Sequence, residues 1–100
     1  MSDVQVNAQQ IANLKVTLAR FLEAHLGTKI VEPNEGALKM MILHVKNQNQ
    51  KIKDKFINWK LGEVSKRLLE SKDGSLTYRD YIICEYLLDE LNRYVASKLK

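Results

Sequence analysis

Apolar residues recur every three or four positions along most of the chain, which is the spacing of one face of an α-helix. Before the first stripe, Asn7 and Gln10 have the spacing of a helix N-cap and its reciprocal partner. Gly27 follows the stripe, as expected of a helix stop. The pattern therefore predicts a first helix over about 7–26, with an inner face made of Ile11, Leu14, Leu18, Phe21, Leu22 and Leu26.

The segment "TKIVEP" predicts a short extended link, because the residue before Pro33 is disfavoured in the helical region. A second helix is predicted over about 34–48, with a shorter stripe. The polar run "KNQNQK" then interrupts the apolar pattern and predicts a break. A third helix is predicted over about 51–71. The inner stripe of the second helix consists of Leu38, Met41, Ile42 and Val45, and that of the third of Ile57, Leu61, Val64 and Leu68.

A second interpretation of the middle of the chain is one long helix without a break. Apolar residues keep an alternating spacing of four and three through the polar run, with Asn49 at an inner position. Such a stripe is typical of a coiled-coil seam in which one polar residue sets the register. This alternative predicts a helical homodimer, with a seam of Leu38, Ile42, Val45, Asn49, Ile52, Phe56 and Trp59.

The stretch "SKDGSLTYRDY" has two possible interpretations. As a calcium loop with Gly74 at its sixth position, it would use Ser71, Asp73 and Asp80, but its first position is a leucine, which cannot bind calcium. As a corner between helices, Asp-Gly forms the turn and Thr77 caps the next helix. The corner is favoured, and it predicts a fourth helix over about 78–98 that buries Tyr81, Cys84, Leu88, Leu91 and Val95, flanked by Ile82, Leu87 and Tyr94.

Four amphipathic helices with short links predict one all-α domain over residues 1–100, an antiparallel up-down four-helix bundle. The only proline and the four glycines are too few for a fold of many short strands and turns. The N-terminus shows no basic start followed by an apolar run, and no segment approaches the roughly 20 apolar residues of a membrane span. A cytoplasmic protein is expected.

Side chains capable of catalysis are scattered rather than grouped. Cys84 is the only cysteine, which excludes an internal disulfide and argues against a zinc site. His25 and His44 have no second ligand at helical spacing, so packed or rim histidines are expected. The sequence predicts a protein that is not an enzyme and that uses no cofactor or metal.

The net charge of +4 is concentrated in the middle of the chain. Residues 46–72 hold eight Lys or Arg against three Asp or Glu, whereas the segments on either side are close to neutral. Cations recur every seven residues there, a spacing that keeps them on one side of a helix. This row is a candidate partner-binding surface, made of Lys46, Lys53, Lys60 and Arg67 with Lys55, and extended by Lys98 and Lys100 at the C-terminus. Phosphate-backbone binding is an alternative, although no aromatic stacking pattern accompanies the lysines.

The chain resembles the immunity proteins of pediocin-like (class IIa) bacteriocins, the enterocin A immunity family. The similarity spans nearly the whole length and rests on the order of elements. These are "LARFLEAHLG" at the end of the first helix, "EPNEGALKMMILHV" at the start of the second, and "LGEVSKRLLESKDGSLTYRDYIICEYLLDEL" across the last corner.

The resemblance implies a cytosolic four-helix bundle that protects a Gram-positive producer from a pore-forming peptide. It implies as partner the membrane subunits of the mannose phosphotransferase permease with bacteriocin bound, engaged from the inner side. It places partner discrimination in the C-terminal half, although this chain ends almost directly after the fourth helix. We expect a monomer, with peripheral contact to the anionic inner membrane surface and no nucleic acid partner.

Overall fold

The computed structural model describes residues 6–49, 55–70 and 76–98, with side chains described as far as Tyr94 but not for Asn49. These residues form helices α1 (Ala8–Leu26), α2 (Glu35–Asn49), α3 (Lys55–Val64) and α4 (Tyr78–Lys98). A π-helical turn, Ser65–Leu69, continues directly from α3. The predicted all-α class is confirmed, and the helix ranges follow those expected, with α2 ending one residue later than predicted, at Asn49.

The predicted N-cap of α1 is confirmed in both halves. The Gln10 backbone N–H donates to the Asn7 side chain at 2.8 Å, and the Asn7 N–H donates to the Gln10 side chain at 3.0 Å. At the other end, Gly27 adopts φ +71°, a left-handed conformation that other residues rarely adopt, and its N–H bonds to the carbonyl of Glu23. Local hydrogen bonding therefore fixes both ends of α1.

Side-chain caps also start the second and fourth helices. The Ala37 N–H donates to the side chain of Asn34 at 2.9 Å, which places the N-cap of α2 at Asn34. The Asp80 N–H donates to the Thr77 hydroxyl at 3.1 Å. The Asp80 carboxylate accepts a hydrogen bond from Arg67. Thr77 thus caps α4 as predicted, while Asp80 links this helix start to the end of the preceding helix.

Among the residues that the structure describes, eighteen buried apolar side chains form one core that draws on all four helices. The innermost include Leu18 and Leu22 of α1, Leu38 of α2, Leu61 of α3 and Leu88 of α4. All lie on the predicted inner stripes. The complete set is Leu14, Leu18, Ala19, Phe21, Leu22, Leu38, Ile42, Val45, Ile57, Leu61, Val64, Leu68, Leu69, Leu76, Cys84, Leu87, Leu88 and Leu91.

Helices α2 and α3 fold back on each other. The Asn58 side-chain amide lies 3.5 Å from the Lys46 carbonyl oxygen. In one straight helix these residues would be about 18 Å apart along the axis, at 1.5 Å per residue. The single long helix with a dimer seam at Asn49 is therefore not the structure of this chain.

Contacts between α3 and α4 show that these two helices are antiparallel. Lys60 pairs with Glu90 and Arg67 pairs with Asp80, both at 2.9 Å. The later residue of the third helix thus pairs with the earlier residue of α4. The Phe56 ring also packs on Tyr94, with centroids 4.8 Å apart. Since α2 is antiparallel to α3 as well, α2 and α4 run in the same direction.

The direction of α1 departs from the strict up-down alternation that was expected. Gln10 lies beside Tyr81 near the start of both helices, and Thr17 and Leu88 line one groove further along, so α1 runs parallel to α4. Lys15, in the first half of α1, lies 3.8 Å from Glu35 at the start of α2. By these contacts α3 is the helix that runs antiparallel to the other three.

The link between α1 and α2 makes this arrangement possible. Eight residues, 27–34, separate the two helices, and an extended chain of this length spans about 26 Å. The Ile30 N–H donates to the Glu23 carboxylate at 2.8 Å, which holds the link against α1. Lys29 and His44 line a common cavity, so the link returns alongside α2. The extended link was predicted, but its return path was not.

The π-helical turn replaces the last turn of the predicted third helix. A π turn inserts one residue relative to an α-helix and so rotates the residues that follow. Ser65, Leu68 and Leu69 are all buried here. The turn therefore ends the third helix with Leu68 and Leu69 both in the core.

Replacement of a core leucine should test this packing. Leu61 is fully buried, so Leu61→Ala should reduce the free energy of unfolding by about 2–5 kcal/mol. Leu43 is 58% exposed, and Leu43→Ala is the matched control, expected to change stability by less than about 0.5 kcal/mol. Urea unfolding followed by circular dichroism measures both. Equal losses in the two variants would contradict the described core.

Candidate interaction surface

The predicted row of cations is divided by the fold. Lys55 is exposed, and Lys46 is half-buried where α2 meets α3. Lys60 and Arg67 are engaged in ion pairs with α4. The remaining candidates cannot be placed, because Lys53 and Lys100 and the side chain of Lys98 lie outside the described residues.

Lys60 is a buried residue, with 8% of its surface exposed. Its ammonium group lies 2.9 Å from a carboxylate oxygen of Glu90. The same group lies 4.3 Å from the ring centroid of Trp59 and 5.2 Å from that of Phe56, which are cation–π distances. The expectation that Lys60 is a free surface cation is wrong, since its charge is used within the protein.

Arg67 holds the last helix corner together. One guanidinium nitrogen lies 2.9 Å from Asp80 of α4 and another lies 3.3 Å from Glu63, one turn earlier. Partial burial opposes the charge, but hydrogen bonds and attraction from these carboxylates raise the pKa of Arg67 above its ordinary value. Within the described residues its Nε has no hydrogen-bond partner. Arg67 therefore also leaves the predicted row.

The Arg67–Asp80 pair bears on the calcium interpretation of the corner. Asp80 would have been the twelfth ligand position of such a loop, and its carboxylate accepts the Arg67 hydrogen bond. Ser71 and Asp73 lie outside the described residues. In the part of the chain that the structure describes, no group of three His, Cys, Asp or Glu side chains is arranged to hold a metal ion.

Trp59 lies on the outside of α3. It was expected in an inner stripe, but 62% of it is exposed. The inner positions of α3 are Ile57, Lys60, Leu61 and Val64 instead. The error came from carrying the helical phase of α2 through the break, since two separate helices do not share a phase.

Around this tryptophan lies a surface that the predicted row of cations covers only in part. Lys55, Trp59 and Lys66 are exposed, at intervals of four and seven residues that favour one side of a helix. On α2, Lys39 and Leu43 are exposed and Lys46 is half-buried, at intervals of four and three. A Cβ atom at Gly62 would lie 3.5 Å from the Lys46 ammonium, so the two faces adjoin. We call these six residues the Trp59 surface: Lys39, Leu43, Lys46, Lys55, Trp59 and Lys66.

Cavities lined by described residues lie elsewhere on the molecule. A groove of about 560 Å³ between α1 and α4 is lined by Leu14, Ile82 and Tyr86 together with Glu85 and Asp89. Its Tyr81 hydroxyl donates to Glu85 at 3.0 Å, and this bond is the main reason that the Tyr81 pKa is raised. A cavity of about 440 Å³ between the link and α2 is mostly apolar and includes Met40, Met41 and His44.

The histidines and the cysteine are separate from one another. His25 is half-buried and stacks on Phe21 with ring centroids 5.9 Å apart. His44 is exposed at the link cavity. Cys84 is fully buried in the core, and burial, with a smaller contribution from the charge of Asp80, raises the pKa of its thiol to about 11. A buried thiol with a raised pKa lacks the thiolate character of a nucleophilic cysteine.

Comparison of the chain with protein families, curated proteins and solved structures found no significant match. Within the described residues, no helix combines the length and the apolar character that a membrane span requires. The candidate function therefore depends on the surfaces of the bundle and on the order of its elements.

The Lys60–Glu90 pair should contribute more to stability than its neighbour in sequence. Glu90→Ala leaves the Lys60 ammonium buried without a carboxylate and should reduce the free energy of unfolding by about 1–3 kcal/mol. Asp89→Ala is the matched control, since its pair with Arg93 is exposed and should contribute less than about 0.5 kcal/mol. Urea unfolding at neutral pH compares them. If Asp89→Ala cost as much as Glu90→Ala, the burial of Lys60 would be incorrect.

The buried thiol should be protected in the folded protein. A pKa of about 11, against 9.0 for an unperturbed thiol, leaves about a hundredfold less thiolate at pH 8, and burial limits access further. An aromatic disulfide reagent should therefore react at least a hundredfold more slowly with Cys84 in the native chain than in the urea-unfolded chain. Cys84→Ala gives the background rate. Similar rates in both states would place Cys84 at the surface.

Proposed function

We propose that this chain is an immunity protein of the pediocin-like bacteriocin type, which protects its producer cell by binding rather than by catalysis. One observation carries the proposal. The four helices occur in the order that the resemblance requires and over the segments that carry it, including the helix–corner–helix unit at the C-terminal end.

The corner supports this proposal in its chemistry as well as its position. Leu76 is buried, Thr77 caps α4, and Arg67 joins the end of one helix to the start of the next through Asp80. The two C-terminal helices therefore form one packed unit. Such a unit can present a fixed surface to a partner, as a module that discriminates between similar targets must do.

In the proposed mechanism the protein acts from the cytosolic side. It engages the membrane subunits of the mannose phosphotransferase permease after the bacteriocin has bound them, and it blocks the leak that the complex would otherwise form. The contact surface belongs to the outer sides of α3 and α4. Lys60 and Arg67 support this surface from within, while Lys55 is exposed on α3.

The rival functions have less support. Binding of a nucleic-acid backbone requires free cations, and two of the described cations of the predicted row are paired with carboxylates. A dimer through the Asn49 seam requires a continuous helix, whereas α2 and α3 pack against each other.

A protection assay tests the proposal. The chain is expressed in a bacteriocin-sensitive strain, which is then challenged with several pediocin-like peptides. Survival should rise against one or a few of these peptides, and the tagged chain should co-purify with the permease membrane subunits only when such a peptide is present. A soluble, folded chain that gives no protection against any peptide of the class would contradict the proposal.

Paired surface variants test which helices make the contact. Ile82→Ser with Tyr86→Ser changes two exposed residues of α4 and should reduce protection. Val31→Ser with Met40→Ser changes two exposed residues on the link and α2, and should leave protection unchanged. Circular dichroism and urea unfolding confirm that both variants fold. If the variant on the link and α2 lost protection and the α4 variant kept it, the partner site would lie in the N-terminal half.

A further inference from the structure

The Trp59 surface combines two properties that are uncommon together on a helical bundle. Two large apolar side chains are exposed on it, Trp59 at 62% and Leu43 at 58%. Four lysines lie on the same helix faces. None of these six residues lines the groove between α1 and α4 or the cavity between the link and α2.

Two carboxylates close to this surface are paired with cations. Glu63 shares a side of α3 with Trp59, and it pairs with Arg67 at 3.3 Å. Glu90 pairs with Lys60. Glu70, just beyond the π turn, accepts a hydrogen bond from the Ser65 hydroxyl, which leaves its negative charge in place. Four lysines against this carboxylate leave the surface with a net positive charge among the described residues.

Lys60 also fixes the position of the indole. Its ammonium lies 4.3 Å from the ring centroid and is held there by Glu90, so one face of the ring is covered by the protein. The other parts of the ring are directed to solvent. A tryptophan held in this way has an apolar body and a polar N–H at the protein surface, which is the type of side chain enriched at membrane–water interfaces.

We propose that the Trp59 surface binds the anionic headgroup layer of a phospholipid membrane. Trp59 and Leu43 enter the layer, while the lysines extend their ammonium groups to lipid phosphates and keep their methylene stems against the apolar groups. This inference takes its biological setting from the proposed function, because it places the protein beside a membrane target. Binding of the protein to vesicles can be measured without the permease or the bacteriocin.

A lipid surface fits these residues better than a nucleic acid does. Backbone phosphates would pair with the lysines, but they give no reason for Leu43 to be exposed between two of them. Nor does a second aromatic side chain accompany Trp59 on this surface as a stacking platform for bases. Charge complementarity together with exposed apolar groups favours the anionic membrane.

Trp59 fluorescence provides a direct test, because the chain contains one tryptophan. The full chain is titrated with vesicles of phosphatidylglycerol and phosphatidylcholine, and separately with vesicles of phosphatidylcholine alone. With anionic vesicles, the emission should shift to shorter wavelength, acrylamide should quench it less, and the protein should sediment with the lipid. With neutral vesicles none of these changes should occur, and added salt should weaken the anionic response.

Charge-reversal variants locate the binding surface. Lys55→Glu with Lys66→Glu should weaken vesicle binding by more than about tenfold. Arg20→Glu with Arg79→Glu is the matched control, because it changes the net charge equally at exposed positions of α1 and α4. This control should keep both binding and the fluorescence shift. Urea unfolding verifies that each variant folds.

The outcomes are distinct. The inference would be overturned if anionic vesicles changed neither the fluorescence nor the sedimentation of the protein. It would also be overturned if both charge-reversal variants lost vesicle binding equally, because this would indicate attraction by net charge alone. If a DNA duplex, but no vesicle, reduced the quenching of Trp59 by acrylamide, nucleic-acid binding would replace membrane binding as the role of this surface. A variant that loses vesicle binding but still protects cells would leave the proposed function intact without this surface. If the chain bound vesicles but gave no protection in the cell assay, the membrane-binding surface would be supported and the proposed function contradicted.

Discussion

The burial of Lys60 against α4 is the interaction on which most of the described arrangement depends. A lysine at an inner position of a helix is costly unless its ammonium finds a carboxylate, and Glu90 supplies one at 2.9 Å. That pairing sets the register of α3 on α4, which in turn brings Arg67 to Asp80 and Phe56 to Tyr94. The Lys60 ammonium also lies 4.3 Å from the ring centroid of the neighbouring Trp59. The helix corner and the position of the exposed indole are thus linked to the same ion pair.

Features governed by neighbouring residues could be predicted from the sequence. Asn7 with Gln10, Gly27, and Thr77 act within one helical turn, and each has the predicted role. Helical periodicity likewise identified most of the core, because a one-sided helix must bury its apolar face. The all-α class follows from these local rules, and it required no knowledge of how the helices meet.

Features decided between elements could not be predicted in the same way. Charge counting places Lys60 and Arg67 among the free cations, because the sequence does not show that Glu90 and Asp80 come within hydrogen-bonding distance. Carrying one helical phase through the break placed Trp59 inside, and the sequence did not show that the α2 and α3 faces adjoin at Gly62. The candidate surface therefore emerged from tertiary contacts, although the spacing of Lys55, Trp59 and Lys66 was already visible.

The shared direction of α1 and α4 has a consequence for how the chain assembles. Helices α2 and α3, and then α3 and α4, meet through short connections, so their contacts join residues that are close in sequence. Docking α1 beside α4 instead joins Gln10 to Tyr81 across most of the chain. Each doubling of a closed loop adds only about 0.6 kcal/mol of entropic cost, but contacts between distant residues also slow folding. The contact of the N-terminal helix with α4 therefore joins residues that are far apart in sequence. The N-cap and the left-handed Gly27 of α1 fix the ends of this helix, which reduces the number of conformations that it samples before it docks.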